Sequence, residues 1–181
     1  MRASKQPDYV KDYNKKYYNE KKNKIQEKSK LTFQMKNHCV IFTDGSCFGN
    51  PGQGGWGVLV LKDGKEIELS GYDAQTTNNR MELLAAIKAL EYIVENEIKE
   101  KVILYTDSTY VFKGATIWME GWKAQGWTKP KNVELWRELD YLKGKVPNIQ
   151  WNWVKAHNGN KYNEKVDGIA KQAIYKGRGF F

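Results

Sequence analysis

Apolar and polar residues alternate along this chain in two rhythms, and the changes of rhythm mark its elements. "CVIFTD" is a short apolar run that reads as a buried strand ending on an acid, Asp44. "GGWGVLVLKDGKEIELSG" reads as two strands joined at Asp63-Gly64, a dipeptide suited to a tight hairpin. "NNRMELLAAIKALEYIVEN" switches to the helical period, with Leu83, Ile87, Leu90 and Val94 on one side. "KVILYTD" is a further buried strand, and "STYVFKGATIWMEGWKAQGW" forms one or two short helices. "KNVELWRELDYLKGK" is a helix broken by Pro147, "NIQWNWV" a strand, and "NEKVDGIAKQAIYKG" a last helix. The order β-β-β-α-β-α-α-β-α, a hairpin meander followed by βα alternation, predicts an α/β fold with helices packed on a mixed sheet.

Residues 1–38 follow neither rhythm. They are rich in Lys, Asn and Tyr and poor in aliphatics, a composition that favours disorder. Tyr9, Tyr13 and Tyr17 recur every fourth residue, however, and would stripe a short helix. We therefore expect a basic extension over 1–38, flexible or partly helical, ahead of a domain over 39–181. The extension holds 11 Lys/Arg against 4 Asp/Glu, which places +7 of the chain's formal +9 in it. A basic arm on a nearly balanced domain points to a polyanion, with nucleic acid the leading partner, or else to a solvated tail. Cys39 and Cys47 make no disulfide framework and fit no common zinc spacing, so a reducing, cytosolic setting is the simplest reading. No apolar run reaches the roughly 18–20 residues of a membrane helix, and the N-terminus lacks the apolar region of a secretory signal.

Four carboxylates stand at element ends: Asp44, Glu82, Asp107 and Asp167. Each has an ordinary explanation. Asp44 fits an Asp-Gly turn, Glu82 a capping box with Asn79, Asp107 a helix cap, and Asp167 a helix-surface acid that favours the dipole. Two of them fit poorly, because Glu82 and Asp167 lie beside apolar helix faces, where an unpaired charge is costly. Few cations stand nearby in sequence to serve all four. A bound metal would answer this, and oxygen ligands without Cys or paired His select Mg²⁺ or Mn²⁺.

Four stretches, "FTDGSCFGNPGQGGWG", "TTNNRMELLAAIKAL", "YTDSTYV" and "WNWVKAHNGNKYNEKVDGIA", closely resemble the signature blocks of type 1 ribonuclease H in order and spacing, over about residues 39–176. The resemblance implies a five-stranded mixed sheet, three antiparallel strands then two parallel, with helices on both faces. It implies that Asp44, Glu82, Asp107 and Asp167 bind two Mg²⁺ ions, with Mn²⁺ as a substitute. It also implies that His157 assists proton transfer or product release. The expected activity is endonucleolytic hydrolysis of the RNA strand of RNA–DNA hybrids, leaving 5′-phosphate and 3′-hydroxyl ends, by a cytoplasmic monomer. The same resemblance places Gly45, Cys47, Asn50, Thr77, Asn78 and Asn79 against the hybrid, where the glycines after Asp44 would let backbone approach the minor groove. Trp118, Trp122, Lys123, Lys129 and Lys131 correspond to a basic protrusion that grips the DNA strand. Core packing is the competing role for the two tryptophans, which stand one helical turn apart.

The match departs from the family at Gln75, where relatives often carry Arg, at Thr109, where Gln is common, and in a shortened protrusion with fewer lysines. These changes bear on substrate grip. Three other functions remain to be weighed: a non-catalytic hybrid-binding protein, a DNA-cutting or strand-transferring nuclease of the same fold class, and a domain derived from a reverse-transcriptase polyprotein.

Overall fold

The computed structural model describes residues 8–156 and 158–179. Five strands form one sheet in the order β3-β2-β1-β4-β5. The hairpin meander β1 (Cys39–Gly49), β2 (Gly52–Lys62) and β3 (Lys65–Thr76) is antiparallel. Strand β4 (Val102–Thr106) runs parallel to β1, and β5 (Ile149–Trp153) parallel to β4. The β2–β3 turn falls at Asp63-Gly64, with φ of 50° and 74°, the two left-handed residues that a tight hairpin with native twist requires.

Alternation along the central strands sorts side chains into two cores. Cys39, Ile41, Val58, Val60, Val102 and Leu104 face α2 (Asn78–Glu95) and α5 (Val133–Lys145). Val40, Phe42, Leu59, Leu61 and Ile103 face α6 (Lys161–Gly177) through Val166 and Ile169. Between β4 and α5 the chain forms α3 (Thr109–Lys113), a π-helical turn at Gly114–Trp118, and α4 (Met119–Ala124). Gly114 opens that turn because any larger residue there would meet the ring of the fully buried Trp136.

The fold departs from the sequence reading in three places. First, β1 does not stop at Asp44. It continues to Gly49, pairing residue for residue with β2, and the chain reverses at Asn50-Pro51. Second, the glycine run is packed closely against helices, a demand that the sequence reading did not foresee. A Cβ at Gly45 would strike the backbone of Met81 and Glu82 in α2, while one at Gly55 or Gly57 would press on the backbone of α6. Glycine has little strand preference of its own, so here the ladder and the close helix contacts hold it extended. Third, the basic segment is a helix of 30 residues, α1 (Asp8–Asn37), far longer than the short one expected. The side chains of Tyr9 and Tyr13 lie outside the described residues, while Tyr17 is half exposed. No helix among the described residues is long and apolar enough to cross a membrane.

Candidate active site

The parallel ladder between β1 and β4 ends at the pair Thr43↔Thr106. The next residue on each strand is an acid, so Asp44 and Asp107 emerge side by side where the two strands part. Glu82, in the second turn of α2, completes the group: one carboxylate oxygen from each of Asp44, Glu82 and Asp107 lies within 4.8 Å of the others. Asp167 of α6 approaches from the other face of the sheet, near enough for its charge to raise the Asp44 carboxyl. Four acids spread from residue 44 to residue 167 are thereby brought to one end of the sheet.

The close packing of Gly45 on α2 sets part of this geometry. Its N–H donates both to Asp44 Oδ1 at 2.8 Å and to Glu82 Oε2 at 3.1 Å. Asn78 Nδ2 donates to the other Glu82 oxygen at 3.4 Å. Asp107 is held by Asn163 Nδ2 at 2.9 Å, and its backbone carbonyl accepts from the Trp153 indole at 2.9 Å. Sequence reasoning missed Asn163. Its signal is positional, one turn before Asp167 on the same helix face, and the residue is buried, its Oδ1 without a partner among the described residues.

None of the ordinary explanations survives for the first three acids. Asp44 lies inside a strand. The cap of α2 is Thr77, whose hydroxyl accepts from Arg80 N at 3.4 Å, so Glu82 forms no capping box with Asn79. The cap of α3 is Ser108, whose hydroxyl accepts from Val111 N at 3.2 Å, so Asp107 caps nothing. Among the described residues Asp167 alone of the four has a cation, Lys171 Nζ at 2.7 Å.

The electrostatics are unfavourable without a ligand. Among the described residues no lysine or arginine pairs with Asp44, Glu82 or Asp107. Burial, then the charges of Asp107 and Asp167, push the Asp44 carboxyl up to about 8. Burial, then Asp44 and Asp107, raise Glu82 well above the usual carboxylate range. An all-oxygen cluster in this condition fits a hard divalent cation, which replaces the missing positive charge.

The other sequence-predicted residues fall into two groups. Cys47, Asn50, Thr77, Asn78 and Asn79 gather around the β1–β2 reversal and the start of α2. Asn50 Oδ1 accepts from Asn78 N at 3.2 Å, and Cys47 Sγ donates to the Thr76 carbonyl at 3.6 Å. Asn50 and Asn79 are exposed beside them. Trp118 and Trp122 pack with tilted rings, centroids 5.8 Å apart, and Trp122 packs on the buried Trp136 at 5.1 Å. Packing therefore accounts for much of both rings, although Trp118 is 37% exposed. Lys123 is engaged by Asp140 at 3.0 Å and Glu120 at 3.6 Å, whereas Lys129 and Lys131 are exposed and, among the described residues, free of ion pairs. His157 lies outside the described residues.

Comparison with known proteins agrees with this geometry. The RNase H family model matches residues 36–175. The ribonuclease H of Ehrlichia canis (strain Jake) is 50% identical over 145 residues, which cover 77% of this chain and 97% of that protein. The ribonuclease H of Francisella philomiragia subsp. philomiragia is 47% identical over 147 residues, covering 78% of this chain and 94% of that one. Among solved structures, LC9-RNase H1, a type 1 RNase H with the type 2 active-site motif, aligns with a TM-score of 0.69 at 30% identity, over 78% of this chain and 74% of that one. LC11-RNase H1, solved in complex with an RNA/DNA hybrid, aligns with a TM-score of 0.61 at 28% identity, over 77% and 98%. A chain with these acids at the end of this sheet, matched along most of its length, belongs to the ribonuclease H family and is a type 1 endoribonuclease.

Proposed function

We propose that the protein hydrolyses the RNA strand of RNA–DNA hybrids, leaving 5′-phosphate and 3′-hydroxyl ends, with Asp44, Glu82, Asp107 and Asp167 holding two Mg²⁺ ions or, in their place, Mn²⁺. The observation that carries this reading is the convergence of Asp44, Glu82 and Asp107 without a protein cation. Divalent ions bound there would supply Lewis-acid stabilisation of the phosphodiester oxygens and a more acidic water. The chain's own part is positional. Gly45 N–H fixes Asp44 and Glu82 relative to each other, and Asn163 fixes Asp107, so the ligands need little rearrangement. His157 assists proton transfer or product release, a role that rests on its place in the family-like block.

Asn50, Asn78, Asn79, Thr77, Cys47 and the Gly45 backbone face the hybrid's minor groove, where amide and hydroxyl groups can both donate to and accept from ribose 2′-hydroxyls. Lys123, Lys129 and Lys131 meet the DNA strand's phosphates beside Trp118 and Trp122, Lys123 by exchanging its surface ion pairs with Asp140 and Glu120. The catalytic unit spans 39–181, preceded by the basic arm of 1–38, and acts as a cytoplasmic monomer. Retention of all four acids disfavours a binding-only role, since binding alone needs no metal cluster.

The test is cleavage of labelled hybrid, double-stranded RNA, single-stranded RNA and double-stranded DNA in Mg²⁺ and in EDTA, with Asp44→Asn and Asp107→Asn alongside. Metal-dependent cutting confined to the RNA of the hybrid and lost in both variants is expected. Hybrid that is bound but left intact in Mg²⁺ and in Mn²⁺ would overturn the proposal.

A further inference from the structure

Helix α1 is the largest feature that the site does not use. The family match begins at residue 36, so nearly all of α1 is an addition to the catalytic body. Its C-terminal turns are built into that body. Leu31 and Met35 pack against the core shared by Phe42, Ile103 and Val166, and the largely buried Gln34 accepts a hydrogen bond from the Tyr105 hydroxyl at 2.7 Å. Before Leu31 the helix leaves the body, and every described side chain from Lys15 to Lys30 is exposed.

The exposed part has a polarity. At 3.6 residues per turn, Lys15, Tyr18, Lys21, Lys22 and Ile25 share a sector of about 120°, on the side opposite Leu31, Gln34 and Met35. Tyr18 is 66% exposed and Ile25 is 58% exposed. Among the described residues Lys15, Lys21 and Lys22 have no ion pair. The direction is also set. The chain enters β1 at Cys39, level with Val102, yet Gln34 already meets Tyr105, three register steps nearer the acids. Followed backwards, α1 thus climbs the sheet toward Asp44 and Asp107 and then runs on for roughly 35 Å from Lys30 to Asp8.

A lone helix in water is marginal, and repulsion among its lysines weakens it further. A polyanion removes that repulsion. A second copy does not, because it brings the same +9 charge. We propose that the outer face of α1, centred on Lys15, Tyr18, Lys21 and Lys22, is a second nucleic-acid contact surface that holds the phosphate backbone of the substrate duplex beyond the acidic end of the sheet. The contact is independent of sequence, because it reads charge. It raises the local concentration of substrate at the active site, as a tethered second module does. This inference rests on the nucleic-acid substrate proposed above and deepens it.

The test compares the full-length protein with its Lys15→Gln, Lys21→Gln, Lys22→Gln triple variant. Binding of a labelled RNA–DNA hybrid is measured in EDTA from 50 to 200 mM salt, and cleavage is measured separately in Mg²⁺. The triple variant should bind about tenfold more weakly at the lowest salt. Its plot of log affinity against log salt should flatten by about 2 to 3, close to 0.9 for each phosphate no longer neutralised. KM should rise while kcat stays within about twofold. Unchanged affinity and salt slope, with helicity retained by circular dichroism, would overturn the proposal. So would a wild-type dimer that the substitutions convert to monomer while hybrid affinity holds. If wild type cleaves no hybrid but the triple variant still binds it more weakly, the nuclease reading fails and the arm stands.

Discussion

The acidic end of the sheet, at Asp44, Glu82 and Asp107, and the outer face of α1 both carry charges that lack a counter-ion among the described residues, and they differ in what surrounds those charges. Asp44 and Glu82 are buried, so desolvation first, and then the charges of neighbouring acids in a poorly screened interior, raise both carboxyls. Lys15, Lys21 and Lys22 stand in water, where salt screens them. Burial makes the acids destabilising to the fold unless a cation joins them, so that end is built for a tightly held ligand. Exposure leaves the lysines fully hydrated, so the arm suits a weak, extended and salt-sensitive one.

This contrast is tested most severely at the acids. Asp44→Asn and Asp107→Asn should each lower hybrid cleavage about a thousandfold or more, the scale of a missing metal ligand. In metal-free buffer Asn at 44 should nevertheless leave the protein at least as stable as wild type, because it removes a repelled, buried charge. Paired cleavage assays and thermal melts in EDTA check this, and a strongly destabilised Asp44→Asn protein would contradict it. Next in size is Gly45→Ala. Its methyl group would meet the backbone of α2, at a cost of about 1–3 kcal/mol in a urea melt, and would displace Glu82, so apparent Mg²⁺ affinity should fall as well.

A third expectation concerns pH. Asp44 titrates near 8 in the fold and near 4 when unfolded, so between those values the folded chain binds more protons. Metal-free stability is therefore highest at the acid end of that window and falls as pH rises toward 8. Melts in EDTA from pH 5 to 8.5 should show the decline, and both Mg²⁺ and Asp44→Asn should reduce it, Glu82 supplying the remainder in the variant. The smallest effect belongs to Gln34→Ala, which leaves the Tyr105 hydroxyl without its partner and should cost about 1 kcal/mol. That variant separates the two regions further, since it loosens the root of α1 without touching its lysines.

Much of this molecule was legible in its sequence because the relevant signals are local. The Asp63-Gly64 hairpin, the 3.6-residue period of α2 and the apolar run of β4 depend on neighbours within a few residues. The acids were legible as charges lacking an ordinary partner. What escaped depends on contacts distant in sequence. Nothing near Gly45 reveals that α2 will press on it, so the glycine run reads as a turn or a ligand cradle. Nothing near Asp44 reveals that β2 will keep β1 extended to Gly49. Asn163 looks like an ordinary helix-start residue until Asp107, 56 positions away, meets its amide. Helix α1 escaped for the opposite reason: its composition resembles a solvated tail, and its attachment through Leu31, Gln34 and Met35 shows only in the fold.

The distribution of the four acids over β1, α2, β4 and α6 also sets when the enzyme can begin to work. A growing chain can pair β1 with β2 and pack α2 early, yet Asp167 and the Asn163 that steadies Asp107 both arrive with α6, after the whole sheet has been made. Prematurely terminated products that lack α6 have neither group, nor the helix that covers the second face of β1 and β2. On the proposed roles of these residues, cleavage of hybrid should therefore appear only once α6 has been made.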